Sequence, residues 1–291
     1  MLRLIAGFLL AAGASAASAH GGVEHAEHLG WTWDAQITIP LALLLATFLV
    51  GRARLSQRSR TKVPGTWQFL AGWAVLALSL VSPLHSGGER SFTLHMIEHE
   101  LIMLVATLLL AASHSGGTLA WGLPPSLRRS LGGGWKSPLA ALWRRLTEPV
   151  TATLVQGVVM WVWHAPALFN RTLQSDVWHA AQHLSFVLAS LLFWCAMLGR
   201  RSSFGVSAAC LFITSLIGGA LGALMTFSQS PWYAGYAAMN LSGIGLDPVR
   251  DQQLAGLLMW IPGGLVHAGA ALAMLYKWLV VSEGSHALRT S

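Results

Sequence analysis

A chain of 291 residues that is 54% hydrophobic and only 10% charged falls far below the roughly 25% charged residues of soluble domains. That balance excludes an ordinary soluble protein and points to an all-α integral membrane protein. The net charge of +7 does not argue for nucleic acid, because the basic residues fall in short gaps between apolar runs, where they encode membrane topology.

The first 19 residues read as a secretory signal, with Arg3 at the charged start, Leu4 to Ala12 as the apolar core and Ala17-Ser18-Ala19 as the cleavage site. Cleavage there leaves a His-rich tail, 20–33, that opens HGGVEHAEH. An N-terminal His20 can chelate Cu(II) through its free amine and one ring nitrogen, with His25 or His28 folding back over Gly21 and Gly22 to complete the site. The competing reading is a plain disordered polar tail.

Apolar runs long enough to cross a bilayer follow near 34–51, 66–84, 92–112, 148–165, 176–198, 204–226 and 251–281. Each must be helical, because lipid offers the backbone no hydrogen-bond partner. The predicted membrane domain is therefore a seven-helix bundle over 34–283, with 284–291 as a tail. Cys195 and Cys210 fall inside spans as small hydrophobes and form no CxxC pair. No internal repeat is visible.

Charge sets the direction. Arg52, Arg54, Arg58, Arg60 and Lys62 occupy the first gap, and Arg128, Arg129, Lys136, Arg144 and Arg145 the third. With Arg200, Arg201, Lys277 and Arg289, this side carries 14 of the 18 basic residues, against Arg90, Arg171 and Arg250 opposite. The mature N-terminus is thus predicted to be periplasmic and the C-terminus cytoplasmic. The long 113–147 gap is rich in Pro and Gly, which break any continuous helix; Leu139, Leu142, Trp143 and Leu146 could lie in the headgroup layer.

Histidines concentrate at the outer ends of these spans. His95 and His99, in HMIEHELIM, lie about 4 and 10 Å below the outer end of the third helix at 1.5 Å per residue. His179 and His183, in DVWHAAQH, repeat that spacing at that depth in the fifth. Each pair is i,i+4, so both rings leave one helix face, and two such faces could enclose one ion. Asp176 shares the face of its pair, and Glu98 flanks the other. His164 ends the fourth helix before Pro166, and His85 follows Pro83 at the end of the second. Asp251 and Gln252 open the seventh helix, with Met259 about three turns in. His267 lies deeper. A lone intramembrane histidine such as His85 or His267 usually bonds a neighbour, but paired imidazoles in apolar helices suit zinc, copper, iron or nickel. Met96, Met103, Met160, Met225 and Met259 lie in the same outer halves; thioethers select Cu(I), although each methionine alone reads as core filler.

Four stretches, HMIEHELIML, WVWHAP, DVWHAAQHLSFVLASLLFW and DQQLAGLLMWIPGG, resemble in content and order the motifs of the multispanning CtaG family of cytochrome c oxidase assembly factors. The similarity runs from about residue 34 to 281. It implies a bacterial inner-membrane protein that helps mature a haem–copper oxidase, with delivery of copper from a periplasmic donor as its expected task. Its expected partners are oxidase subunits or other assembly factors. On the matching positions it implies His95, His99, His164, His179 and His183 as ligands, with Asp251 in support. Glu98 stands where the family often carries glutamine.

Two other readings fit parts of the pattern. HMIEH matches H-x-x-E-H, in which two histidines bind zinc and the glutamate activates water, so a seven-span zinc hydrolase is one alternative. A haem-binding redox protein is the other, since histidines on two different helices could be axial ligands. A purely structural scaffold predicts no effect of alanine at His95 or His183.

Overall fold

The computed structural model describes residues 30–59, 63–132, 138–199 and 202–290, and the regular elements among them are all helices. In chain order they are α1 Ala35–Ser59, α2 Thr66–Val81, α3 Pro83–Gly88, α4 Phe92–Ala112, α5 Gly116–Gly122, α6 Pro125–Gly132, α7 Pro138–Leu146, α8 Pro149–His164, α9 Pro166–Thr172, α10 Asp176–Met197, α11 Phe204–Phe227, α12 Ala234–Ala237 and α13 Pro248–Thr290. The chain divides into two compact units, Met1–Ala141 and Leu142–Ser291.

In the first unit α1 packs on α2 and α5, and α2 on α4. Phe48 and Phe69 stack at 3.7 Å between α1 and α2. The Trp73 indole N–H donates to the Leu41 carbonyl at 2.9 Å, giving a half-buried polar edge the partner it needs. Gly51 and Gly122 bring α1 and α5 backbone to backbone, because a Cβ on Gly51 would overlap the Thr118 carbonyl and one on Gly122 the Thr47 carbonyl. Ser82 and Ser91, both extended, cap α3 and α4 by accepting from Leu84 N and Leu94 N.

In the second unit Glu148 caps α8, its carboxylate accepting from Thr151 N and Thr151 Oγ1 at 2.9 Å each; these bonds hold its pKa below the ordinary value. α8 packs on α10 and α11, and Gln156 and Ser190 exchange hydrogen bonds of 3.2 and 3.3 Å between α8 and α10. α11 and α13 approach through Gly222 and Gly256: a Cβ on Gly222 would lie 2.7 Å from the Gly256 carbonyl, and one on Gly256 2.6 Å from that of Gly222. Small residues at such crossings let membrane helices pack on their backbones.

Helices occupy all seven expected stretches, but their lengths differ from expectation. α1 runs on through Arg52, Arg54 and Arg58, because charge ends a membrane crossing without ending a helix. α13 continues unbroken through Pro262. α8 meets α9 at Pro166 with a 75° bend. By length and composition five helices among the described residues suit a membrane crossing, and counting the bent pair as one span makes six. α2, with 16 residues, reaches about 24 Å at 1.5 Å per residue, short of a hydrocarbon core of about 30 Å. Exposed Leu154, Val158, Leu216, Leu265 and Leu272 give these helices apolar outer faces suited to lipid.

Candidate metal centre

The first two turns of α4 carry His95, Glu98 and His99, all buried. The rings of His95 and His99 meet edge to face with centroids 4.2 Å apart, so the i,i+4 spacing does deliver both imidazoles to one face. Gly88 at the end of α3 permits the packing: a Cβ there would lie 3.3 Å from His95 Cα.

Glu98 does more than flank this pair. His85 Nδ1 lies 2.7 Å from Glu98 Oε1, with both residues buried, a distance typical of charge-assisted bonds. Burial depresses the His85 pKa, but the hydrogen bond and charge of Glu98, helped by Glu89 and Asp34, outweigh it and hold the net value above the ordinary one. The glutamate of a zinc hydrolase must meet water, whereas Glu98 is 0% exposed and engaged by His85. Below these turns α4 widens into π geometry over Leu101–Ala106, a local irregularity frequent at functional sites. Met103 lies within it and Met96 above it, both buried.

In the second unit α8 ends at His164, whose Nδ1 is 2.7 Å from the Met160 carbonyl. A carbonyl only accepts, so Nδ1 carries the proton and Nε2 keeps its lone pair. That Nε2 is buried and has no hydrogen-bond partner among the described residues. The ring sits 6.2 Å from Phe186, which lies one turn along α10 from His183. His179 and His183 place their centroids 4.5 Å apart; His183 is buried and His179 half-buried. Asp176 is exposed in the first turn of α10.

Sequence reasoning passed over two residues here. Gln182 is 0% exposed, and neither end of its amide has a hydrogen-bond partner among the described residues; the only signal was an amide beside His183 in an apolar helix. Tyr233 donates its hydroxyl to the His164 carbonyl at 3.1 Å and stacks on Phe169 at 4.0 Å. Burial pushes its pKa up, which keeps it a donor. The first turn of α13 holds the same segment: Gln252 Oε1 accepts from Trp232 N at 2.6 Å, Gln252 Nε2 donates to Ser230 O at 3.2 Å, and Gln253 Nε2 to Ser228 O at 3.0 Å. Asp251 is buried in that turn, and Met259 is buried further along α13.

His267 stands apart, donating from Nδ1 to Gly263 O at 2.8 Å and stacking on Trp194 with centroids 5.6 Å apart. The signal segment and the tail residues His20, His25 and His28 lie outside the described residues.

The donors present fit a metal of borderline or soft character. They are imidazoles, with buried thioethers on the same helices, in an apolar setting. The sequence profile of the cytochrome c oxidase caa3 assembly factor family matches residues 46–280. An uncharacterized protein of Mycobacterium bovis is 25% identical over 265 residues, which cover 85% of this chain and 39% of that protein. An uncharacterized protein of Mycobacterium tuberculosis matches to the same extent. The aligned part of the chain thus spans about two fifths of the length of these relatives. No solved structure matches.

Proposed function

The chain belongs to the cytochrome c oxidase caa3 assembly factor family, and from that premise we propose that it carries copper as cargo for the metal centres of a haem–copper oxidase. In this reading the ligands are the imidazoles of His95 and His99 on α4 and of His164, His179 and His183 on α10 and the end of α8. Asp251, Met103 and Met259 support them. The protein works in the bacterial inner membrane with seven crossings, a periplasmic mature N-terminus and a cytoplasmic C-terminus, and follows a cleaved signal. Its partners are oxidase subunits or other assembly factors and a periplasmic copper donor.

The observation that carries the reading is His164. Its backbone-bonded Nδ1–H fixes the tautomer that offers Nε2 to a metal, and that atom is buried without a hydrogen-bond partner among the described residues. Copper in either oxidation state accepts imidazole, and the buried methionines favour Cu(I) over zinc. The chain's own part is to hold dry, pre-oriented donors in exchangeable positions. No step of bond making in a substrate is required of it.

Metal analysis of the purified full chain tests this. Wild type is expected to retain copper in stoichiometric amount with no Soret absorption. The variants His95→Ala/His99→Ala and His179→Ala/His183→Ala are expected to lose most of it while keeping their helicity, and cells carrying them to make copper-deficient oxidase. Full copper content and normal oxidase activity in both variants would overturn the proposal. A Soret band would assign the histidines to haem, and preferential retention of zinc would revive the hydrolase reading.

A further inference from the structure

The C-terminal end of α1 carries Arg52, Arg54 and Arg58 just where that candidate span ends. The Gly51 and Gly122 contact fixes this end against α5. Arg54 Nη1 then reaches the last carbonyls of α5, donating to Trp121 O at 2.9 Å, Leu123 O at 3.2 Å and Gly122 O at 3.4 Å. Three carbonyls at a helix C-terminus are a fitting partner for one guanidinium, so Arg54 acts as a brace.

Arg58 and Arg128 are placed differently. Both guanidiniums lie over the same indole, with Cζ 5.1 and 4.2 Å from the Trp121 ring centroid. An aromatic face attracts a cation, but it does not neutralise two like charges whose distances to one ring keep them within about 9 Å of each other. The chain supplies no counter-charge nearby in sequence, since neither 35–88 nor 101–147 contains an aspartate or glutamate. Leu127, next to Arg128 in sequence, is 52% exposed, and Trp67, at the start of α2, is 78% exposed. Exposed tryptophan and arginine at the end of a span mark the membrane–water boundary.

The geometry points to a lipid headgroup site at this end of α1, in which Arg58 and Arg128, braced over Trp121, hold the phosphodiester of an anionic phospholipid. Guanidinium suits this ligand because its planar fork bonds two phosphate oxygens at once. The position at the end of a span puts the phosphate at headgroup depth and the acyl chains beside the exposed Leu127. The site is independent of the imidazoles and of what they bind.

Native mass spectrometry of the purified full chain, incubated in detergent with phosphatidylglycerol or phosphatidylcholine, tests it. Wild type is expected to retain phosphatidylglycerol selectively. Arg58→Gln/Arg128→Gln is expected to retain many-fold less, at about five-fold for each guanidinium near an anionic surface. The charge-matched control Arg145→Gln/Lys277→Gln is expected to keep the wild-type preference. Should the double variant lose helicity, Arg128→Gln alone, on the short α6, carries the comparison. Equal retention of the two lipids by wild type, or equal loss in the control, overturns the proposal. Displacement of bound phosphatidylglycerol by millimolar inorganic phosphate or glycerol phosphate would also overturn it, because the site would then serve a soluble phosphate.

Discussion

At the scale of single residues, two buried polar groups separate what was legible from what was not. The spacing of HMIEH and DVWHAAQH placed each imidazole pair on one face, and the ring separations of 4.2 and 4.5 Å follow from it. The sequence offers Glu98 only as a flanking carboxylate, because nothing in it says that α3 turns back to set His85 against that residue. That contact depends on Ser82 and Ser91 breaking the chain into separately capped helices, a tertiary outcome without a local signature. Glu98→Gln keeps an acceptor for His85 and is expected to leave stability and copper content near wild type. Glu98→Ala removes the acceptor from a buried donor and is expected to cost about 1–3 kcal/mol, read as a lower Tm in detergent. Equal Tm values for the two variants would show the bond to be idle. Gln182 poses the opposite case, since its buried amide has no hydrogen-bond partner among the described residues, and an unsatisfied buried amide is itself a cost of about 1–3 kcal/mol. Gln182→Leu is therefore expected to raise or preserve Tm while weakening copper retention. Unchanged retention would assign the amide no part in the site.

At the scale of elements, the apolar runs located the helices well because a helix is the only way for an isolated segment to satisfy its backbone in lipid. Their ends were legible where proline or a capping serine stands, as at Pro83, Pro149, Pro166 and Ser203. They were not legible where only charge marked the boundary, as in α1. Packing partners were hidden too, because a glycine in a helix reads the same whether it faces lipid or another backbone. Gly222 and Gly117 show the difference. A Cβ on Gly222 would lie 2.7 Å from the Gly256 carbonyl and 2.9 Å from Trp260 N, whereas one on Gly117 meets nothing within 4 Å. Gly222→Val is expected to force α11 from α13 at a cost of about 1–3 kcal/mol or more, as overpacking does. Gly117→Ala is expected to be neutral or to stabilise by about 0.4–1 kcal/mol by restricting the unfolded chain. Thermal unfolding in one detergent compares them, and a Gly222→Val protein as stable as wild type would mean that α11 and α13 do not cross there.

At the scale of the whole molecule, an all-helical protein with several helices apolar enough to cross a membrane was legible from composition alone, whereas the direction of insertion rests on the placement of arginine and lysine alone. What composition leaves open is the number of crossings, and the parity turns on α2. Its 16 residues span only about 24 Å, short of a core of about 30 Å. Mismatch of a few ångströms costs only fractions of a kcal/mol per ångström, however, and the bilayer thins or flanking residues snorkel to accommodate it. The charges argue more strongly. Arg52, Arg54, Arg58, Arg60 and Lys62 precede α2, while only Arg90 lies between α2 and α4, a bias that places the two ends of α2 on opposite sides. Exposed Gln57 and Glu89 stand at those ends, and the natural Cys195 and Cys210, within α10 and α11 and neither of them exposed, give little background. A membrane-impermeant maleimide is expected to label Glu89→Cys in cells whose outer membrane alone is permeabilised, and Gln57→Cys only after the inner membrane is opened. Labelling of both residues under the same condition would leave α2 on one side of the membrane. If both label only after the inner membrane is opened, every later helix is reversed, which moves the imidazole-bearing ends of α4 and α10 to the cytoplasm and removes the route by which a periplasmic donor could load them.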